Sequence, residues 1–275
     1  MKTFLSFFFL LFVVATYAQT FEGIITWSIK TEITDPKMKA QMEQAQKQMS
    51  DPVNQAKMKQ MQEQMNSPQM KAMLESNPQM KIQMQNAIKA IQGGDMSSMM
   101  PKSLNVKIKG KNSLTKMDGG IMAAEILTLN DKNQTYMLER ESKTYSLLPS
   151  GKDQTNTKST HKVTKTSETA RILNHQCTKY IVEVTEHGAT VNQVFWTTTE
   201  IKGLNAKDFF NLGMNKGGQS MYYDGLDGVP LKMELTTPQM IMVMEATELK
   251  SEKLPDSEFV IPAGFTETKG FGGLR

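Results

Sequence analysis

Four proline-headed breaks in one stretch of this chain constrain its fold more than any other feature. Asp35-Pro36, Asp51-Pro52, Ser67-Pro68 and Asn77-Pro78 each put a capping side chain before a proline. Asp, Ser or Asn accepts from the first free N–H groups of a helix, and proline at the first helical position lacks an N–H that would be unpaired there. Proline also drives its predecessor out of the helical region, so each start ends the segment before it. The first three pairs lie 16 residues apart, and Met42/Met58 and Met49/Met65 keep that interval, which makes an internal repeat. One long helix is thereby excluded. Four short ones are expected, filled with Gln, Lys, Glu, Met and Ala.

The apolar residues of this stretch keep helical spacing. Met38, Met42, Ala45 and Met49 form one stripe, Met58, Met61 and Met65 a second, and Met80, Met84, Ile88 and Ile91 a third that ends at Gly93-Gly94. Thirteen of the 23 methionines fall between Met38 and Met100, and no aromatic residue occurs between Trp27 and Tyr136. Methionine fills space without fixing shape, so such a face suits an apolar partner that varies. Two other readings stay open. The stripe packs on the rest of the protein or mediates self-association, or its thioethers, which are soft ligands, hold Cu(I).

On either side the period changes from helical to twofold. Ile25, Trp27 and Ile29 alternate with polar neighbours, as do Leu104, Val106 and Ile108. The same twofold spacing continues in Tyr136 and Leu138, Tyr145 and Leu147, Tyr180, Val182 and Val184, Val194 and Trp196, and Leu231, Met233 and Leu235. Met240, Met242 and Met244 face Ile241 and Val243, apolar on both sides, which predicts a buried central strand or one beside a cavity. A further helix is expected over Ala206–Leu212. The fold class is therefore α+β: a curved antiparallel sheet, half-barrel-like, interrupted after its first strand. The expected organisation is residues 1–18 as a signal peptide, 19–34 with 101–275 as the β domain, and 35–100 as the methionine-rich insertion.

The amino terminus carries Lys2, an apolar run from Phe4 to Val14, and small residues around a cut after Ala18. No later run is long enough for a transmembrane segment. The expectation is export to the periplasm or beyond. Net charge is +4, or +3 without Lys2, too mild to imply nucleic acid. The single Cys177 allows no internal disulfide.

"FEGIITWSI", "ETARILNHQCTKYIVEV", "VFWTTTEI", "DGVPLKMEL" and "LPDSEFVIPAGF", in that order, resemble an uncharacterised family of exported β domains from Gram-negative bacteria. The likeness covers most of residues 19–34 and 100–268. Its layout is similar to the half-barrels of LolA/LolB-type lipoprotein carriers, which implies an apolar ligand. "SPQMKAMLESNPQMKIQM" is similar to the methionine-rich DP-type helical repeats of co-chaperones, which implies an apolar client peptide.

Catalytic patterns are sparse. His175 and Cys177 sit two apart and would share a strand face, so a Cys–His pair is the one candidate weighed for nucleophilic or metal chemistry. Gly217-Gly218-Gln219 has no supporting context, and no phosphate loop, metal motif or cofactor motif is present. A non-catalytic binding protein is expected, with no cofactor. Its adaptable face would be Met58, Met61, Met65, Met70, Met73, Met80 and Met84, and Trp27, Trp196, Met240, Met242 and Met244 would line the sheet side.

Overall fold

The computed structural model describes residues 20–65, 67, 100–119, 124–148, 160–186, 189–211 and 225–268. The expected signal peptide, the helix starts at Ser67 and Asn77, and the glycine-rich 213–218 stretch fall wholly or mainly outside them.

Chain order begins with β1 (Glu22–Ile33), followed by α1 (Pro36–Ser50) and α2 (Pro52–Met65). A meander follows: β2 (Ser103–Lys109), β3 (Asn112–Asp118), β4 (Ala124–Leu129), β5 (Gln134–Glu139) and β6 (Thr144–Leu147). A second comprises β7 (Thr160–Ile172), β8 (His175–Glu186) and β9 (Ala189–Thr198). Then come α3 (Ala206–Asn211), β10 (Val229–Thr236), β11 (Met240–Ser251), a 3₁₀ turn (Asp256–Phe259) and β12 (Thr266–Glu267). All twelve strands join one sheet in the order β12-β6-β5-β4-β3-β2-β1-β11-β10-β9-β8-β7. It is open and curved, as the half-barrel expectation requires. The class, however, is mostly β rather than α+β, and the sheet is mixed, because the two residues of β12 lie parallel to β6.

The two helix starts within reach form as their caps dictate. Asp35 Oδ1 accepts from the Met38 amide at 2.7 Å, and Asp51 Oδ1 from the Val53 amide at 2.8 Å. On α1 only Met38, Met42 and Ala45 among the described side chains reach half-burial on the predicted stripe face. The neighbours of α1 are α2 and the end of β1, so these two helices stand at one end of the sheet instead of lying across it.

Alternation along β1 is complete from Glu22 to Ile29, with Ile25, Trp27 and Ile29 on one side. That side, the α3 face, carries the larger core: Val106 and Ile108 of β2, Met244 and Ala246 of β11, Leu231 and Met233 of β10, Phe195 of β9, and Tyr180 and Val182 of β8. Asn205 caps α3 by accepting from the Asp208 amide at 2.9 Å. The helix lays Phe209 against Trp27 and Phe210 against Phe195, with ring centroids 5.2 and 5.9 Å apart. Such pairs add about 0.5–1.5 kcal/mol beyond the area they bury.

The other side carries a separate core. Cross-strand register aligns Ile24, Lys107, Leu114, Leu127 and Tyr136 on the face opposite Trp27. Leu114, Leu127, Leu129 and Leu138 are covered there by Leu254 and Phe259 of the chain that follows β11. This C-terminal strap is clasped by ion pairs from Lys107 to Glu258 and from Lys109 to Asp256, and ends as β12. A single sheet with a core on each side is the economical solution for strands that are apolar on both faces.

Candidate functional site

Met242 and Met244 lie on β11 between β1 and β10, the interior place that their doubly apolar sequence predicts. Register sets Met242 opposite Thr31 and Leu235, and Met244 opposite Ile29 and Met233. One strand further, Leu235 faces Gln193 and Met233 faces Phe195. These rows, all on the α3 face, enclose a recess of about 20 Å3 lined by Gln193, Phe195, Met233, Glu234, Leu235, Met242 and Met244. That is room for about one water molecule. Apart from Gln193 and Glu234, the lining is hydrocarbon, thioether and one aromatic ring.

The recess lies at the carboxyl end of β1. Ile33 pairs with Met240 there, and the Thr34 and Asp35 amides donate to the Gln239 carbonyl at 2.9 and 3.2 Å just before α1 begins. The helices therefore leave the sheet beside its methionine-lined end. The Thr31 hydroxyl, on the Met242 row, is buried and has no acceptor or donor among the described residues. Leaving such a group unpaired costs about 1–3 kcal/mol.

The sequence-predicted lining is brought together only in part. Met242 and Met244 meet at the recess. Met240 is half-buried at its rim, opposite Ile33. Trp27 shares their face but is sealed beneath Phe209, with no exposure of its own. Trp196 belongs to the opposite face: it pairs with Lys179 and Lys232, and the Lys179 ammonium sits 5.7 Å from its ring centroid. In β9 Gln193, Phe195 and Thr197 are buried in alternation, with Thr198 buried at the strand's end, so the expected Val194/Trp196 phase is inverted. Each alternating set carries apolar residues there, Val191 and Phe195 against Val194 and Trp196, and the burial of Phe195 against Phe210 decides between them. Met58, Met61 and Met65 are on α2, but their side chains, like the whole of Met70, Met73, Met80 and Met84, lie outside the described residues. Met233, Leu235, Phe195 and Gln193 are not among the sequence-predicted lining, although Met233 and Leu235 belong to a predicted strand; only the pairing of β9, β10 and β11 makes them neighbours.

The Cys–His candidate dissolves on inspection. Burial pushes the Cys177 thiol up to about 11, and its sulfur donates to the His175 carbonyl at 3.7 Å. The His175 ring instead engages Glu200 through Nδ1 at 2.9 Å. A protonated, buried thiol is a packing group and not a nucleophile. Among the described residues no three His, Cys, Asp or Glu side chains gather as a metal site would need, and no helix is long and apolar enough to cross a membrane.

Fold and recess together define an open-sheet β protein, with an apolar, methionine-lined hollow beside the point where α1 leaves the sheet. The chain belongs to the family described as a domain of unknown function (DUF4412), whose model matches residues 80–265. That match takes in the β scaffold from β2 to the strap, but leaves out β1, which the sequence likeness had included. No curated protein matches the chain. Among solved structures, LprF from Mycobacterium bovis is similar at 8% identity, with a TM-score of 0.29 over 58% of this chain and 82% of LprF. A score that low does not establish a common fold.

Proposed function

We propose that this protein is a non-catalytic binding or carrier protein for an apolar ligand, such as a lipid or an apolar peptide segment. The ligand would enter at the methionine-lined end of the α3 face, beside the helices. The observation that carries the reading is the recess itself, where three methionines from two neighbouring strands and Phe195 converge on one hollow. Methionine side chains have three rotatable bonds and repack at low cost, so a hollow the size of one water can widen around a guest. The Thr31 hydroxyl would give that guest one polar anchor. In this reading residues 35–100 are a unit set into the β domain, offering more of the same pliable surface, and residues 1–18 direct export to the periplasm.

The test is titration of the mature chain with a fluorescent fatty acid. Saturable binding is expected, and Met242→Lys, which puts a charge at the half-buried mouth, should weaken it by about tenfold or more. Absence of saturable binding, or equal affinity in a folded Met242→Lys variant, would overturn the proposal. Native mass spectrometry of protein taken gently from its host would then name the guest.

A further inference from the structure

The strap leaves a second opening, on the opposite side of the sheet. Where it crosses β2, β3 and β4 there is a groove of about 410 Å3, within the size range of small-molecule sites. Leu114, Val260 and Pro262 supply apolar lining. Asn105, Lys116 and Glu125 are successive cross-strand neighbours across its floor. Lys107 is ion-paired with Glu258. Glu125, only 11% exposed, has both oxygens occupied by Arg140: Oε2 accepts from Nε at 2.9 Å, and Oε1 from Nη2.

The cations opposite are not used up in this way. A guanidinium has five N–H donors, and the fork onto Glu125 engages two. Arg140 is 52% exposed, and its remaining donors have no acceptor among the described residues. Lys116, 57% exposed, pairs among the described residues with Asp118, at 2.9 Å; a surface pair of that kind exchanges readily for another acceptor. The groove therefore holds two ion-paired cations, Arg140 on Glu125 and beside the Phe265 ring at 5.8 Å, and Lys116 on Asp118, each with donors left over, next to a hydrocarbon wall.

We propose that this groove binds an amphipathic carboxylate, its charged end held by Lys116 and Arg140 and its hydrocarbon laid along Leu114, Val260 and Pro262. A free fatty acid and the carboxyl terminus of an apolar peptide share that chemistry. The experiment is titration of the full chain with octanoate and, separately, with N-acetyl-leucyl-leucine, read by calorimetry. At least one should saturate, the tighter of the two naming the source, while octanol should give no heat. Lys116→Glu should weaken binding by about tenfold or more and Lys116→Arg should retain it. Lys116 is exposed, so Lys116→Arg should melt like the parent; Lys116→Glu faces Glu125 across the strands and is read beside Lys116→Gln, which adds no carboxylate and should weaken binding in the same direction. Three results would overturn the inference: neither probe saturating by about 10 mM, equal affinity in Lys116→Glu, or loss of octanoate binding in Met242→Lys but not in Lys116→Glu. The last would move the carboxylate into the recess on the other face.

Discussion

Asp227 opens the DGVPLKMEL stretch, yet nothing in that stretch tells what its carboxylate holds together. Its Oδ2 accepts from the Lys165 ammonium at 3.0 Å and from the Tyr180 hydroxyl at 2.9 Å, tying the turn before β10 to β7 and β8. The hydrogen bond from Lys165, then that from Tyr180, hold the Asp227 carboxyl below its ordinary value of 3.8. The sign follows from linkage: as pH falls, the unfolded chain takes up this proton first. The stabilisation is thus complete above the unfolded value and is lost as the pH drops through 3.8 toward the lower folded one. Asp227→Asn should lie below the parent in stability at pH 6, and the gap should narrow as the pH falls below 3.8, measured as urea midpoints across an acid series. A gap that stays constant with pH would show that the carboxylate's charge is not what matters. No local sequence pattern points to this contact, because its three members come from separate parts of the chain.

At the scale of elements, what could be read in advance was whatever is local. Capped helix starts need only four or five neighbouring residues, and both described ones appear where Asp35 and Asp51 place them. Strands with one apolar set, such as Ile25, Trp27 and Ile29, declare their buried face. Strands with two apolar sets do not: β9 buries Phe195 and turns Trp196 outward because of what α3 and Lys179 bring to it. For the same reason the two tryptophans, read as companions, stand on opposite sides of the sheet. The strap was visible as a motif but not as a cover, since Leu254 and Phe259 have no period to betray what they pack on. Its weight can be measured. Phe259→Ala should cost about 3–5 kcal/mol, as buried aromatic truncations do. Val260→Ser, one residue on and half exposed, should stay within about 0.5 kcal/mol. Equal effects in denaturant melts would mean that the strap is not part of the core.

For the whole molecule, the sheet's order matters more than its strand count. Its two margins are managed differently: β12 closes the β6 side with only two residues, while β7 is long but broken by a shift of register between Lys165 and Thr169. Both devices discourage edge-to-edge association. The candidate recess became legible only at this scale, because it needs β9, β10 and β11 side by side with β1. A chain ending at residue 239 keeps both meanders but loses β11, the strand through which β10 and the second meander reach β1. It should lack cooperative unfolding by calorimetry, and a single sharp transition would show that the two parts stand without β11.

The position of β1 also sets a clock. Gly23 pairs with Ser251, so the first strand made waits for almost the last before its second edge is closed. At the pace of synthesis those 228 intervening steps take roughly 10–50 s. Throughout that interval Ile25 and Trp27 can gain β2 as a neighbour, but not the strands that complete their burial. A newly made chain is thus kept open by its own topology for as long as it is still growing.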